Sequence, residues 1–191
     1  MSDSTRLDKV DRTEPLDGLR VERTRGGRWR LRAAQLVAAP RARLFPFFAD
    51  ARNLARLTPP EMRFEILTPG AIAMREGALI DYRIRVWGVP LRWRTVISRW
   101  DPPNEFVDEQ LRGPYTEWVH RHRFTEQDAN TTLMEDEVLF RLPFGPIGAL
   151  AGPVVRRQLT RIFAYRRAVI AEVGAAGSGR AAGWAASEAS G

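Results

Sequence analysis

Among its 191 residues, the chain has no cysteine, a single lysine and two histidines. The absence of cysteine excludes disulfide bonds, thiolate metal ligands and cysteine nucleophiles. No apolar run approaches the ~20 residues that a membrane-spanning helix needs. The N-terminal segment is polar from its first residues and lacks the apolar core of a secretory signal. We therefore expect a cytoplasmic protein without a membrane span.

What remains is the composition of an ordinary globular domain, with 44% hydrophobic and 28% charged residues. The formal net charge of +7 comes almost entirely from arginine, because Lys9 is the only lysine. A basic chain suggests a nucleic-acid partner, but these arginines are scattered over predicted strands and one helix without a recognition motif. We therefore expect no nucleic-acid partner, and the sequence identifies no partner protein.

Hydrophobic periodicity divides the chain into one domain and two tails. Residues 1–27 are polar and show no periodicity, so we expect a disordered N-terminal tail. Residues 173–191 are rich in alanine, glycine and serine, and we expect a disordered C-terminal tail there. Residues 28–172 form the predicted domain.

The predicted domain is an α+β structure. Alternating apolar residues predict a first strand over 29–37, and two short helices follow Pro40 and Asp50. Six further strands follow from Met62, and an amphipathic helix begins after Gly152. An antiparallel sheet of about seven strands, curved around one long C-terminal helix, would bury the apolar face and leave a gap for a small molecule.

Both histidines fall on the apolar face of a central strand. Side chains alternate between the two faces of a strand, so Trp118, His120, His122 and Phe124 share one face. The same alternation puts carboxylates from the neighbouring strands on this face. Buried polar groups cost free energy unless they are paired, so a satisfied structural network is one interpretation. A polar-lined pocket is the interpretation we favour, because these groups converge on one apolar surface.

Hydroxyl and aromatic side chains on neighbouring strands complete the predicted ligand site. The aromatic residues, if they line a cavity, favour a flat or hydrophobic ligand such as a polyketide, a lipid or an aromatic molecule. The candidate ligand-binding residues are Tyr82, Trp93, Thr95, Asp108, Gln110, Trp118, His120, His122, Phe124, Met134, Asp136 and Phe140.

Hairpin geometry predicts how the ionisable groups meet. A three-residue loop before Thr116 would put Asp108 opposite His120, and equal parity in the next hairpin would put His120 opposite Asp136 and Arg121 against Glu135. A two-residue loop would move Asp108 to the other face. A histidine between two carboxylates should have a raised pKa, because opposite charges favour the protonated form. If the protein is an enzyme, His120, Asp108 and Asp136 are the catalytic candidates, with His120 as general acid.

A metal site is an alternative use of the same residues. Two histidines and one carboxylate can hold zinc or iron. The signal is a lone His-x-His, from His120 to His122, and such spacing constrains geometry only loosely. We therefore expect neither a metal nor a cofactor.

Several local strings across about residues 29–172 carry a family resemblance: Leu57-Thr58-Pro59-Pro60, Pro102-Pro103, Phe106-Val107-Asp108-Glu109-Gln110, Gly113-Pro114-Tyr115, Trp118-Val119-His120-Arg121-His122, Asp136 and Leu142-Pro143-Phe144-Gly145. They resemble the START-like helix-grip superfamily and, within it, a bacterial ligand-binding subgroup often described as SRPBCC or polyketide cyclase/dehydrase-like. This resemblance implies a helix-grip fold and only loosely a function, because the superfamily includes carriers and enzymes.

Three functions are compatible with the sequence. The leading hypothesis is binding or transport of a small hydrophobic ligand in a cavity between the sheet and the C-terminal helix. The second is a cofactor-free cyclase or dehydratase in which His120 works with Asp108 or Asp136 as acid and base. The third is a structural or interaction module whose pocket is filled by its own side chains. A cavity below the ~300 Å³ typical of ligand sites would favour the third.

Overall fold

A computed structural model describes residues 18–185, and within this range eight strands form one antiparallel sheet. The strands follow the spatial order β1-β2-β8-β7-β6-β5-β4-β3. Most neighbours are therefore joined by hairpins, and β2 pairs with the last strand, β8. The strands are β1 (Gly18–Arg23), β2 (Trp29–Val37), β3 (Glu65–Ile66), β4 (Leu79–Val86), β5 (Val89–Asp101), β6 (Glu105–Arg112), β7 (Glu117–Asp128) and β8 (Thr131–Arg141).

Three α-helices accompany the sheet in the described range: α1 (Arg41–Phe48), α2 (Gly145–Leu150) and α3 (Gly152–Ala185). Pro40 precedes α1, and a short 3-10 helix follows at Ala51–Ala55. The carboxylate of Asp50 accepts a hydrogen bond from the backbone N–H of Arg52 at 3.0 Å, as expected for a residue that caps a helix N-terminus. No helix in the described part of the chain is both long and apolar enough to cross a membrane.

The core lies between α1, α3 and one face of the sheet. Phe45 and Phe48 of α1 pack against the ring of Phe124, with ring centroids 5.3 and 5.1 Å apart. Leu159 and Phe163 of α3 are buried with side chains of β2 and β8. These contacts cover the strand face that the alternation assigned to the interior. Register shifts in the β5–β6 pairing mark irregularities of the kind that bend strands and help a sheet to curve.

The α+β helix-grip architecture and the strand alternation are confirmed. The expected strand at 29–37 is β2, the six later strands are β3 to β8, and the long terminal helix is α3. The helix predicted after Asp50 is a 3-10 helix. The sheet has one strand more than about seven, because residues 18–23 pair with β2 as β1.

Two boundaries differ from the expected tails. Residues 18–23 are a strand, because Leu19 and Val21 pack against the apolar cluster beneath β2 and so offset the entropy lost in ordering this segment. The helix α3 continues to Ala185 instead of stopping near 172. Of the rest of the expected tails, Arg25–Gly27 form a short 3-10 helix, and residues 1–17 and 186–191 lie outside the described residues.

The contact between α3 and β2 at Gly174 provides a test of this packing. A Cβ at position 174 would lie 2.7 Å from Cγ1 of Val37, a buried β-branched side chain with little freedom to move. Alanine normally stabilises a helix interior by about 1 kcal/mol relative to glycine. Because overpacking costs about 1–3 kcal/mol, Gly174→Ala should instead lower the free energy of unfolding, by up to about 2 kcal/mol in urea titrations.

The exposed helix position Ala171 supplies the calibration for this experiment. Ala171→Gly should cost about 1 kcal/mol from helix propensity alone. A rise in stability for Gly174→Ala would show that α3 does not pack closely against β2.

Candidate functional site

Strand register brings the predicted ionisable groups together. Asp108 of β6 pairs with His120 of β7, as expected. In the next hairpin His120 pairs with Val138, and it is His122 that pairs with Asp136, so the expected pairing of His120 with Asp136 is wrong by two residues. Arg121 likewise pairs with Glu137 and not with Glu135.

The turn between β7 and β8 explains this difference. Asp128 pairs with Thr131, which leaves a two-residue connection, and a register shift follows between Glu126 and Asp128. A shift by two residues keeps every side chain on its original face, because strand side chains alternate with a period of two. The assignment of faces therefore holds although the opposing partners change.

Four side chains form a compact polar group, which we call the His–Asp cluster: Asp108, His120, His122 and Asp136. Nε2 of His120 lies 3.0 Å from Oδ1 of Asp136, and Nδ1 of His122 lies 2.8 Å from the same oxygen. Nε2 of His122 lies 2.8 Å from Oδ2 of Asp108, and Nδ1 of His120 lies 3.7 Å from it. The two imidazole rings are themselves only 3.7 Å apart between centroids. Each ring therefore has a carboxylate near both of its nitrogens.

Arg166 of α3 anchors this cluster and is the functional residue that the sequence analysis missed. Its Nε donates to Oδ2 of Asp136 at 3.1 Å, and its Nη2 lies 3.1 Å from Nδ1 of His122. The side chain is buried. The signal was present in the helical spacing, because Arg166 lies three residues after Phe163 and four before Ile170 in the apolar stripe of α3.

The two carboxylates of the cluster remain ionised well into acid. Burial by itself raises the pKa of Asp136, but the charge of Arg166 and hydrogen bonds from both imidazoles hold that pKa well below its usual range. Burial also opposes ionisation of Asp108, but the hydrogen bond from His122 and the charges nearby lower its pKa. Both groups act as hydrogen-bond acceptors at neutral pH.

His120 behaves in the opposite way to the sequence prediction. Burial, together with the neighbouring His122, lowers its pKa to about 4, and the adjacent carboxylates do not compensate. The expected raised pKa, and with it the role of general acid in the resting state, is therefore wrong. A neutral His120 donates its Nε2–H to the carboxylate of Asp136, so Nδ1 carries a lone pair. This nitrogen can accept a hydrogen bond or a proton.

A cavity of about 450 Å³ lies between the sheet and α3. It exceeds the ~300 Å³ lower limit of ordinary ligand sites, so the pocket is not filled by its own side chains. Its wall is mostly apolar, and Asp108, His120 and His122 form a polar patch on it. The predicted ligand-binding residues that line the cavity are Tyr82, Trp93, Thr95, Asp108, Trp118, His120 and His122.

The other five predicted site residues do not line this cavity. Phe124 and Met134 belong to the apolar core beneath α1, and the ring of Phe140 stacks on Trp29. Gln110 donates its amide N–H to the backbone oxygen of Tyr115 at 2.7 Å and so closes the β6–β7 turn. Asp136 holds the two imidazoles from behind the cavity wall. Alternation assigns a residue to a face but does not distinguish cavity wall from solid core.

An aromatic wall continues from the polar patch. Tyr82 stacks on Trp93 with centroids 5.8 Å apart, and Trp93 meets Trp118 edge to face at 5.3 Å. Burial raises the pKa of the Tyr82 phenol, so it stays protonated at neutral pH. These rings offer broad flat surfaces for an apolar ligand.

The cavity opens between two exposed aromatic residues. Trp87, in the β4–β5 turn, is 69% exposed, and Phe144, after β8, is 81% exposed, yet both line the cavity. Both have a left-handed backbone conformation, with φ of 50° and 64°. Bulky residues rarely adopt this conformation, and such strain is often found at binding sites. Ile147 and Leu150 of α2 are also exposed, so this end of the molecule is apolar.

The fold and this site define a helix-grip protein with an open internal cavity. The family model for polyketide cyclase/dehydrase and lipid transport proteins matches residues 37–163, which is more than half of the chain. The chain belongs to this family. No curated protein matches it in sequence.

Solved structures share the fold at low sequence identity. A protein from Thermus thermophilus is 18% identical, with a TM-score of 0.62 over 78% of this chain and 99% of that one. A START superfamily protein from Mycobacterium smegmatis is 12% identical, with a TM-score of 0.59 over 76% and 96% of the two chains. The Zhui aromatase/cyclase from Streptomyces sp. R1128 is 19% identical, with a TM-score of 0.56 over 76% and 90%. Identities this low establish the fold alone.

The lowered pKa of His120 makes a prediction about stability in acid. In the unfolded chain the imidazole takes up a proton near its ordinary pKa of 6.5, whereas in the folded protein it does so only near pH 4. The contribution of His120 is therefore complete above pH 6.5 and is lost as the pH falls towards 4, by about 3 kcal/mol in total. The carboxyl groups of Asp108 and Asp136 have lowered pKa values, so they lose their contribution to stability only as the pH falls below their ordinary pKa of 3.8.

Urea titrations between pH 7 and 4 would measure this effect in the wild type and in His120→Asn. The variant should lose clearly less stability than the wild type across the interval, because it has no imidazole to protonate at position 120. Parallel curves for the two proteins would show that the imidazole is not buried in its neutral form.

Proposed function

We propose that this protein binds or transports a small hydrophobic ligand in the cavity between its sheet and α3. The observation that carries the proposal is the cavity of about 450 Å³, with a largely apolar wall and a polar patch formed by Asp108, His120 and His122. Ligand sites typically combine an apolar enclosure with a few convergent polar groups that fix orientation. The family description, which includes lipid transport, supports the same function.

The placement of the polar groups indicates what the ligand looks like. Asp108, His120 and His122 lie together on β6 and β7, while the aromatic wall extends from β4 and β5. A ligand with an apolar, flat body and one hydroxyl or carbonyl group would match both regions. Nδ1 of a neutral His120 would accept a hydrogen bond from such a hydroxyl, in a site where few other polar partners compete.

The exposed aromatic pair indicates where a ligand would enter the cavity. Trp87 and Phe144 lie at the open end of the cavity and would contact a hydrophobic molecule before it is enclosed. Exposure of such rings to water is unfavourable, so the hydrophobic effect favours a ligand that covers them. This arrangement suits uptake and release at one end.

Partly filling the cavity should weaken binding while the fold survives. Ile84 is buried and lines the cavity, so Ile84→Trp places a bulky ring in the ligand space. With naphthol as the probe in isothermal titration calorimetry, we expect the affinity of Ile84→Trp to be about ten-fold or more below that of the wild type. Overpacking should cost only about 1–3 kcal/mol of stability, which circular dichroism and thermal unfolding would check.

The matched control is Leu111→Trp, because Leu111 is exposed and does not line the cavity. It should bind naphthol as the wild type does. Equal affinity in all three proteins would place the binding site elsewhere and overturn the proposal.

A second candidate function, cofactor-free dehydration or cyclisation, is favoured by one specific geometry. Nε2 of His120 donates to Asp136 at 3.0 Å, which holds the ring with Nδ1 as the available base, and the ring lines the cavity. Nδ1 would take the α proton of a β-hydroxyketone and return it to the departing hydroxyl, so that an enone and water form. His120 would then act first as a base, not as an acid.

Turnover distinguishes this candidate from simple binding. With a β-hydroxyketone attached to a naphthalene ring, the enone absorbance would report dehydration without any added cofactor. If the enzyme function is correct, His120→Ala should reduce turnover by about 10²- to 10⁴-fold, the range that a general acid–base contributes, while naphthol binding weakens only by the loss of one hydrogen bond. If the wild-type protein binds naphthol but does not convert the β-hydroxyketone, binding or transport of a ligand remains the proposed function.

A further inference from the structure

We propose that Asp108, His120 and His122 bind a divalent transition-metal ion at the polar patch of the cavity. One donor atom from each residue lies within 4.8 Å of the other two. Oδ2 of Asp108 is 2.8 Å from Nε2 of His122 and 3.7 Å from Nδ1 of His120. Donors about 2.0–2.2 Å from one tetrahedral ion lie about 3.4 Å apart, so Asp108 and His122, hydrogen-bonded at 2.8 Å here, would separate slightly to admit it. This departs from the sequence expectation that no metal is bound.

The donor set matches known metal chemistry. Two imidazoles and one carboxylate are the protein ligands of several catalytic zinc sites and of non-haem iron sites. These sites leave coordination positions open for water or substrate. Here the three residues line the cavity, so the open positions would face the ligand space.

The outer partners of the two histidines support the proposal independently. Metal-bound histidines almost always donate their second ring N–H to a carboxylate, a carbonyl or water, which fixes the ring. Nε2 of His120 and Nδ1 of His122, the nitrogens on the far side of the proposed ion, lie 3.0 and 2.8 Å from Oδ1 of Asp136. One buried carboxylate is therefore placed to orient both ligands.

Arg166 fixes that carboxylate in turn. Its Nε donates to Oδ2 of Asp136 at 3.1 Å. Its Nη2 also lies 3.1 Å from Nδ1 of His122. With an ion bound, Nδ1 of His122 carries the proton and donates to Asp136, so Arg166 keeps Asp136 as its acceptor and turns Nη2 away from the ring.

The net charge of the buried side chains Asp108, Asp136 and Arg166 also favours binding of a cation. Asp108 and Asp136 contribute two negative charges and Arg166 one positive charge, so these three side chains carry one negative charge in excess. An unpaired charge in an apolar enclosure is costly. A divalent ion would change the net charge of the group from one negative to one positive. A hydroxide or an anionic ligand oxygen bound to the ion would bring the net charge to zero.

Such an ion would act on the bound ligand as a Lewis acid. It would polarise a carbonyl oxygen or lower the pKa of a bound hydroxyl or water. With the ion bound, Nδ1 of His120 is a metal ligand, and the ion replaces it as the group that meets a hydroxyl or carbonyl of the bound molecule. The apolar cavity can bind a ligand without metal, so the two proposals are tested separately.

Direct metal titration tests the site. Untagged, full-length protein is stripped with a chelator, exchanged into chelator-free buffer and titrated with Zn²⁺ by calorimetry and with Co²⁺ by visible absorption. We expect one ion per chain and Co²⁺ bands typical of nitrogen and oxygen ligands. Asp136→Asn should weaken affinity by about 10- to 100-fold, the usual effect of losing an outer partner.

Removal of a direct ligand gives the decisive comparison. Asp108→Asn should weaken affinity by more than the outer-partner variant, whereas the neighbouring Glu109→Gln, which makes the same charge change on the opposite face of β6, should bind as the wild type does. If Asp108→Asn does not fold, as judged by circular dichroism, His120→Gln replaces it.

Absence of one-to-one binding, or equal affinity in the Asp108 and Glu109 variants, would overturn the metal site. Naphthol titration of the stripped protein keeps the two proposals apart. Naphthol binding without metal binding would refute the ion alone, and the reverse result would refute the apolar ligand alone.

Discussion

The ion pair between Arg166 and Asp136 is the interaction on which the site depends. Both side chains are nearly inaccessible, at 7% and 5% exposure, so each charge has lost almost all of its hydration. Burying two charges costs several kcal/mol per ion, and the attraction offsets this only with good geometry and further hydrogen bonds. Here the guanidinium bonds Asp136 through Nε and Nη2, contacts His122, and lies over the ring of Phe48 at 5.4 Å. Loss of either partner would leave an uncompensated charge inside the protein.

This pair also joins the two layers of the fold at the point where the polar chemistry lies. Arg166 comes from α3 and Asp136 from β8, so the position of the helix determines where the carboxylate holds both imidazoles. The rings in turn face the cavity with their remaining nitrogens. Burial then decides the protonation of His120, because desolvation outweighs the attraction of the neighbouring carboxylates. A site built this way favours a neutral base or a metal ligand over a proton donor.

The rest of the cavity is shaped by apolar packing around an opening at one end. Tyr82, Trp93 and Trp118 form a continuous aromatic wall, whereas Trp87 and Phe144 remain exposed at the mouth. Close packing is the normal state of a protein interior, so a hollow of about 450 Å³ forfeits contacts that the fold would otherwise make. Cavity, polar patch and strained mouth together constitute a binding architecture whose chemistry is concentrated on β6 and β7.

Alternation with a period of two determined, from the sequence alone, which residues of each strand share a face, and with the three-residue loop expected before Thr116 it put Asp108 on the face of His120. Local turn and helix signals also located the later strands and α3. The partner of His120 in β8, the role of Arg166, and the division between cavity wall and solid core were decided only by the tertiary structure. The two-residue turn after Asp128 and the one-residue bulge beside it set a register two residues from the expected one, and neither has a hydrophobic signature. The burial that lowers the pKa of His120 arises when a distant helix covers the sheet.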